Sequence, residues 1–469
     1  MHRHIDYLVI ALLAGIYILL PSNNPTGDIA AYAVNVREGS DLFMPHHLLY
    51  NAFNYAVAQI FGIYNTLILN QIINALFAVG CLLVMRALLR NTCGYVETSV
   101  LLLAMGSCYG FLRYAVSGET YIIPLFFSLQ ASLCALRYPN RAWLTGVLAS
   151  TACLFHQIHV FWWAGLLIYI FISNRSKLPT AKYLLVSCMV PAVYLLVFNL
   201  FPGNSTGFFD FIFYEYFHNS NVSYNLGIRS LYLTPVNLVR TFFQVHGNML
   251  PLVEKYPLLL AVAGVCIGLI VYNMLIYRRI FRHSEQHDTM FGKCHLMIFG
   301  LQLLFAAGSS GNAEFMVMLP FALVLFYTAH YQVKTAIAPF AVALLLWNIS
   351  FAVIPSHFLE MTPEKAVVRY IERHPQETYC VFDLRTVENM LRYRNPARSF
   401  KLYEDVSKLD SLVSVGIRVG TDVWSPRHLS RATMLNTVAP YHVPTAIVTR
   451  DTVEYDIGIL VMTNIKGNF

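Results

Sequence analysis

Residues 23–50 read NNPTGDIAAYAVNVREGSDLFMPHHLLY, a polar, acid-bearing stretch in a chain otherwise made largely of hydrocarbon. It is too polar to cross a bilayer. It follows the apolar run Tyr7 to Leu20 directly and carries Asp28, Tyr32, Arg37, Glu38, Asp41, His46 and His47 within one loop. Such a loop offers a general base, hydrogen-bonding groups and cationic partners beside a membrane surface, which is the make-up of a reactive site.

The rest of the chain supports that setting. It has 469 residues, 57% hydrophobic and only 12% charged, with a mean hydropathy of +0.54, far from soluble-domain norms. Residues 1–355 hold enough apolar sequence for about eleven spans of ~20 residues each. Residues 356–469 have ordinary charge density. The expected fold class is therefore a polytopic α-helical membrane protein of about eleven transmembrane helices, with a small C-terminal α/β extracytoplasmic domain. The net charge of +7 is spread between apolar segments, so it reads as topology signal and argues against nucleic acid. Of nine cysteines only Cys380 falls in the tail, which excludes an internal disulfide framework there. The first apolar run lacks a small-x-small cleavage site and is expected to be a retained helix.

Taken in order, Leu48 to Phe61 is short and interrupted by Asn51, Asn54 and Gln59, which suits an interfacial helix. Thr66 to Leu89 and Val96 to Leu112 read as single spans. Ala142 to Phe155 and Phe161 to Ile172 read as a short, re-entrant pair with His156, Gln157 and His159 at its break. Residues 201–256 form a long aromatic loop that includes Arg229 and Arg240. This tracing places Arg86, Arg90, Arg137, Arg141, Arg278 and Lys334 on one side, as the positive-inside rule requires. The N-terminus is then cytoplasmic. The first loop (22–65), the long loop (201–256) and residues 356–469 share the periplasmic, extracellular or lumenal side. In the tail, Thr362 to His374 and Val387 to Arg392 have helical spacing, while Tyr379 to Leu384, Ile447 to Val448 and Ile457 to Met462 read as strands. No phosphate loop, metal-spaced Cys or His, or nucleophile elbow occurs there. Asn204-Ser205-Thr206 and Asn221-Val222-Ser223 are glycosylation sequons.

One spanning segment, an acidic loop with Asp28 in GDIAAYA, and Pro-His-His-Leu-Leu-Tyr leading into an apolar helix together resemble the GT-C superfamily of membrane glycosyltransferases. The resemblance implies that Asp28 is the catalytic carboxylate of the first loop, acting as general base, with Asp41 the weaker substitute. Read on its own, Asp28 also suits a cap of the helix Ile29 to Val36. His46 and His47 stand where the family commonly has His-Pro-Pro or Lys-Pro-Pro; here Pro45 precedes them. They are expected to contact sugar or phosphate, or else to be interface residues. Glu119 in SGETYIIP resembles an acidic-x-Tyr element of a second outer loop, and a carboxylate at that depth needs a partner. Arg113 is that partner, in a structural bridge, or the group that neutralises a phosphate. Glu314 in GNAEFM resembles the last outer turn of the family.

Asp28 and Glu119 are thus the expected catalytic carboxylates. Tyr32, His46, His47, Arg113, His156, Gln157, His159, Arg229, Arg240 and Glu314 are the expected substrate contacts. His156, Gln157 and His159 lack a third ligand at suitable spacing, so a cavity lining is expected rather than a metal site. The sequence calls for no cofactor with certainty and leaves room for a divalent cation. The expected activity is transfer of a sugar from a polyprenyl-phosphate carrier to a lipid, glycan or protein acceptor on the outer face, with inversion. The alternative is a polytopic transporter or lipid-linked glycan flippase. That alternative predicts internal repeats and midplane charges, whereas here ionisable groups gather at span ends.

Overall fold

The computed structural model describes residues 4–174, 176–201, 203, 205–214, 216, 227–245, 248–276, 281–283, 289–404, 412, 417–425, 428 and 447–465. Arg175, Arg278, Arg279, Asn204 and residues 221–223 lie outside them, as do the side chains of Arg229 and Arg282. The chain packs as two compact units. The first comprises Met1–Pro21, Asn35–Gly247 and Pro257–Val353; the second comprises Ser22–Val34, Asn248–Tyr256 and Ile354–Phe469.

Helices dominate the first unit. Among the described residues five are long and apolar enough to cross a membrane: Thr66–Leu89, Leu178–Leu200, Thr289–Gly308, Ala313–His330 and Thr335–Phe358. A bent pair makes a sixth if it is counted as one span. Ile5–Leu19, Ile122–Arg137, Gln157–Ser173 and Leu259–Leu275 are apolar but shorter. Asn65 starts the first long helix by accepting the Ile68 N–H at 3.2 Å. Leu13, Tyr17, Leu82, Phe111, Trp162 and Phe321 belong to one buried core. Close helix approach depends on small residues: a Cβ on Gly146 would come within 2.9 Å of the Tyr183 carbonyl oxygen. A short antiparallel pair, β1 (Phe281–His283) and β2 (Tyr331–Val333), completes this unit.

One charge of the topology reading also has a structural partner here. Arg86 is not simply a basic loop residue, because its Nε donates to Asp6 Oδ2 at 2.7 Å and its guanidinium lies 3.9 Å from the Tyr7 ring centroid. Asp6 is fully buried. A buried carboxylate without this cation would be strongly destabilising, so the pair ties Ile5–Leu19 to Thr66–Leu89.

Among the described residues the second unit is built on a sheet of five strands. Its strands are β3 (Thr378–Cys380), β4 (Lys401–Tyr403), β5 (Val419–Thr421), β6 (Ile447–Tyr455) and β7 (Gly458–Ile465), in the order β4-β3-β5-β7-β6. β3 runs parallel to β4 and β5, whereas β7 is antiparallel to β5 and β6. The helix Glu364–Arg373 buries Ala366, Val367, Val368 and Ile371. The expected strand Tyr379 to Leu384 is shorter, because Asp383 caps a new helix, Leu384–Arg394, by accepting the Thr386 N–H at 3.1 Å. Asn24 anchors the segment Ser22–Val34 in this unit. Its amide nitrogen donates to the carbonyls of Ser356 and Leu359 at 2.8 and 2.9 Å, and its oxygen accepts the Met361 N–H at 2.8 Å.

Candidate active site

In the first unit the site begins at a broken helix. Val96 to Leu112 reads as one span in the sequence, but the helix Tyr95–Ser107 ends at Cys108 and Tyr109–Ala115 leaves at 71°. The carbonyls freed at such a break need donors. Tyr17 supplies its hydroxyl to the Gly106 carbonyl, and Asn348 its amide to that of Ser107, both at 2.7 Å. The bend swings Arg113 and the following loop away from the line of the first helix. Asn74, fully buried in Thr66–Leu89, then holds that loop by donating to the carbonyls of Tyr114, Ser117 and Glu119 at 3.3, 2.7 and 2.5 Å.

Around this loop six of the twelve expected residues meet. Glu119 is buried, while Arg113 and Glu314 are half-buried. Arg113 interacts electrostatically with both carboxylates and lies 5.2 Å from the Tyr114 ring centroid. Tyr121 donates its hydroxyl to Glu314 Oε2 at 3.0 Å. Its ring lies 4.7 Å from Tyr114 and 5.1 Å from His156. His156 continues the cluster to His47 at 5.2 Å, and His47 meets the His46 ring edge-on at 3.6 Å between centroids. His156 sits in the break after the helix Ala142–Phe155. Burial holds its imidazole well below the usual histidine range, and His46 and His159 push the same way. It is therefore a neutral ring at pH 7, able to donate or accept but not to act as a fixed cation.

Two of the expected contacts have structural duties. His159 Nδ1 pairs with Ser128 Oγ at 2.7 Å. The Gln157 amide donates to the carbonyl of Pro45 at 3.2 Å, to that of Ile212 at 2.8 Å and to the Tyr194 hydroxyl at 3.1 Å. Tyr194 in turn donates to the Pro45 carbonyl at 2.5 Å. Gln157 and Tyr194 thus pin the Pro45 turn that carries His46 and His47. Gln157 also lines an apolar cavity of about 680 Å³ with Ile158, Phe161, Trp163, Val190 and Phe305. A second cavity, of about 530 Å³, is lined by Asp41, Phe43, Pro45, Phe201, Ser205 and Tyr214. Arg240 is half-buried on the helix Ile228–Phe242, with no hydrogen-bond partner for its Nε among the described residues. Arg229 lies on the same helix. No group of three or more His, Cys, Asp or Glu among the described residues could hold a metal ion.

Asp28 and Tyr32 belong to the second unit. Asp28 is not the cap of its helix: Gly27–Glu38 starts after Thr26, whose hydroxyl accepts the Ile29 N–H at 3.3 Å. Asp28 Oδ1 instead pairs with Arg385 Nη2 at 2.5 Å, and both side chains are partly exposed, 38% and 58% respectively. Tyr32, further along this helix, is buried. The sequence reading overlooked Arg385, Asn74 and Tyr114. Tyr121 stood in the quoted SGETYIIP element without a role. Only its spacing from Glu119 signalled it, since a tyrosine two residues from a buried acid reaches a second acceptor only through tertiary packing.

Neither a family model nor a curated protein sequence matches the chain. Solved structures do. ArnT from Cupriavidus metallidurans bound to undecaprenyl phosphate matches with a TM-score of 0.55 at 11% identity, over 97% of each chain. The apo state of that protein gives 0.48 at 12% identity, again over 97% of each chain. The apo oligosaccharyltransferase of Archaeoglobus fulgidus gives 0.49 at 12% identity, over 90% of this chain and 70% of that one. In fold the chain is thus similar to ArnT along nearly its whole length.

Proposed function

We propose that this chain is a glycosyltransferase that moves a hexosyl or pentosyl unit from a polyprenyl-phosphate carrier to a lipid, glycan or protein acceptor on the outer face of a membrane. The observation that carries this reading is a cation set among acids: Arg113 interacts with the buried Glu119 and the half-buried Glu314, to which Tyr121 is bonded, in the unit that also holds the apolar cavity. A polyprenyl tail suits such a cavity, since each buried CH₂ contributes about 0.8 kcal/mol. A phosphate suits a guanidinium, which binds it through charge-assisted hydrogen bonds. The ArnT structure that shares this fold was solved with undecaprenyl phosphate. About eleven spans of ~20 residues, a cytoplasmic N-terminus and an outer C-terminal domain remain the topology we propose.

In this reading the acceptor hydroxyl oxygen attacks the anomeric carbon as its proton passes to Asp28. The bond from that carbon to the phosphate oxygen breaks, and polyprenyl phosphate leaves with the electron pair, its charge met by Arg113. Direct displacement inverts the anomeric centre. Glu119 and Glu314 balance the permanent charge of Arg113 electrostatically, and Glu314, Tyr121 and the neutral His156 offer hydrogen bonds to sugar hydroxyls. Asp28 is assigned as the base from the sequence resemblance, and the 530 Å³ cavity beside Asp41 is assigned to the acceptor.

The test is to supply the purified protein with a panel of polyprenyl-phosphate sugars and measure release of polyprenyl phosphate. Donor-dependent release that Arg113→Ala weakens through a raised donor KM supports the reading. Folded protein that moves lipid-linked sugar between leaflets of a vesicle without cleaving it would replace this reading with the flippase alternative.

A further inference from the structure

The Asp28–Arg385 ion pair lies wholly within the second unit, and Arg385 comes from the tail, residues 356–469, whose sequence shows no phosphate loop, metal-spaced Cys or His, or nucleophile elbow. Its surroundings are built for one geometry. Asp383 accepts both the N–H and the hydroxyl of Thr386, at 3.1 and 2.9 Å, which fixes the first turn of Leu384–Arg394. That turn packs against Gly27 so closely that a Cβ there would meet Thr386 Oγ1 at 2.9 Å and Arg385 Cγ at 3.4 Å. Arg385 is thereby delivered onto the carboxylate of the next residue. A pair this exposed contributes little to folding, so stability does not account for the arrangement.

We infer that Arg385 is a positioning residue for the transfer reaction, acting through Asp28. The inference rests on the reading of Asp28 as the base. A guanidinium bound to Oδ1 fixes the rotamer and plane of the carboxylate and favours its ionised form, the form that can take a proton. In an inverting displacement the base and the leaving phosphate stand on opposite faces of the anomeric carbon. A cation bonded to the base therefore serves the acceptor side and leaves donor binding alone. This separates Arg385 from Arg113, which is assigned to the donor phosphate.

The experiment compares Arg385→Ala, Arg385→Lys, Asp28→Asn and the Asp28→Asn/Arg385→Ala double variant in steady-state transfer with a polyprenyl-phosphate sugar. Circular dichroism and thermal unfolding establish that each is folded. We expect Arg385→Ala to lower kcat about 10- to 100-fold, the scale of a misplaced catalytic group, with the donor KM unchanged. Arg385→Lys should recover part of the loss, and added guanidinium should partly rescue Arg385→Ala. In the Asp28→Asn background the Arg385→Ala change should cost nothing further. If Asp28→Asn is inactive while Arg385→Ala stays within twofold of wild type, the inference fails and the reading of Asp28 stands. An equal Arg385→Ala effect in both backgrounds, or a raised donor KM, also overturns it by placing Arg385 elsewhere in the reaction. An active Asp28→Asn removes the reading and the inference together.

Discussion

The two units hold their charged groups in opposite ways. In the helical unit Arg113 sits half-buried among carboxylates and tyrosines that come from well-separated stretches of the chain, and Glu119 is buried. In the sheet unit Asp28 and Arg385 meet in partial contact with water. A buried charge is tolerated only inside a satisfied network, so each member of the first group serves folding as well as the chemistry we propose for it. An exposed pair is nearly neutral for folding. Its removal therefore reports on chemistry with little else mixed in.

The largest expected effect breaks this comparison at its exposed side. Asp28→Asn keeps size and hydrogen bonding but removes the base, and loss of a positioned base costs about 10²–10⁴ in rate. Transfer assays on folded protein should show that loss with an unchanged melting temperature. Activity within twofold of wild type would move the role to Asp41 or Glu119. It would also leave the helical unit with all the chemistry.

On the buried side the expected effect is smaller and falls on binding. Charge-assisted hydrogen bonds are worth about 1.5–3 kcal/mol, so Arg113→Ala should raise the donor KM roughly 10-fold or more while the acceptor KM holds. Donor and acceptor titrations measure this directly. An unchanged donor KM and kcat would make Arg113 a structural partner of Glu119 and Glu314, and would pass the phosphate to Arg240 or Arg229.

How much of this was legible in the sequence follows the same division. Five long apolar helices of the helical unit were readable from hydropathy, because a bilayer demands long apolar runs, and Thr66–Leu89 was read with the boundaries it has, while the count of about eleven spans stays a proposal. Arg113, Glu119 and Glu314 were readable as candidates, because ionisable groups are scarce there and each stood at a span end. The break at Cys108 was not readable, since it depends on Tyr17 and Asn348, which lie far from it in sequence. Arg385 was invisible for a different reason. The tail is full of arginines, and only packing against Gly27 sets this one apart.

Asn74 tests whether the buried cluster depends on its scaffold as well as its charges. Its amide serves three loop carbonyls at once, and leaving buried polar groups without a partner costs about 1–3 kcal/mol. Asn74→Ala should lower the melting temperature in detergent and reduce transfer together. If transfer falls with no loss of stability, Asn74 acts on substrate and not on the loop.

The smallest expected effect sharpens the comparison from within the sheet unit. Glu372 resembles Asp28 in being a partly exposed carboxylate under an arginine. Arg394 donates to its two oxygens at 2.8 and 3.0 Å, and Asn395 adds a third bond at 2.8 Å. Partial burial pushes this carboxyl up, but the bonds from Arg394 and Asn395 outweigh it and hold the group below its usual range. A carboxylate depressed in the folded state contributes stability that is present above its unfolded pKa, about 4.3 for glutamate, and is lost as pH falls through the folded value. With the Arg394 and Glu372 side chains 50% and 21% exposed, screening limits that contribution to about 0.2–1 kcal/mol. Glu372→Gln should therefore lower the melting temperature slightly at pH 7, and the difference from wild type should fade as the pH is taken below about 4. Transfer should stay within twofold of wild type. If Glu372→Gln instead slows transfer as much as Arg385→Ala does, the sheet unit responds to the loss of any surface ion pair, and Arg385 loses its separate place beside Asp28.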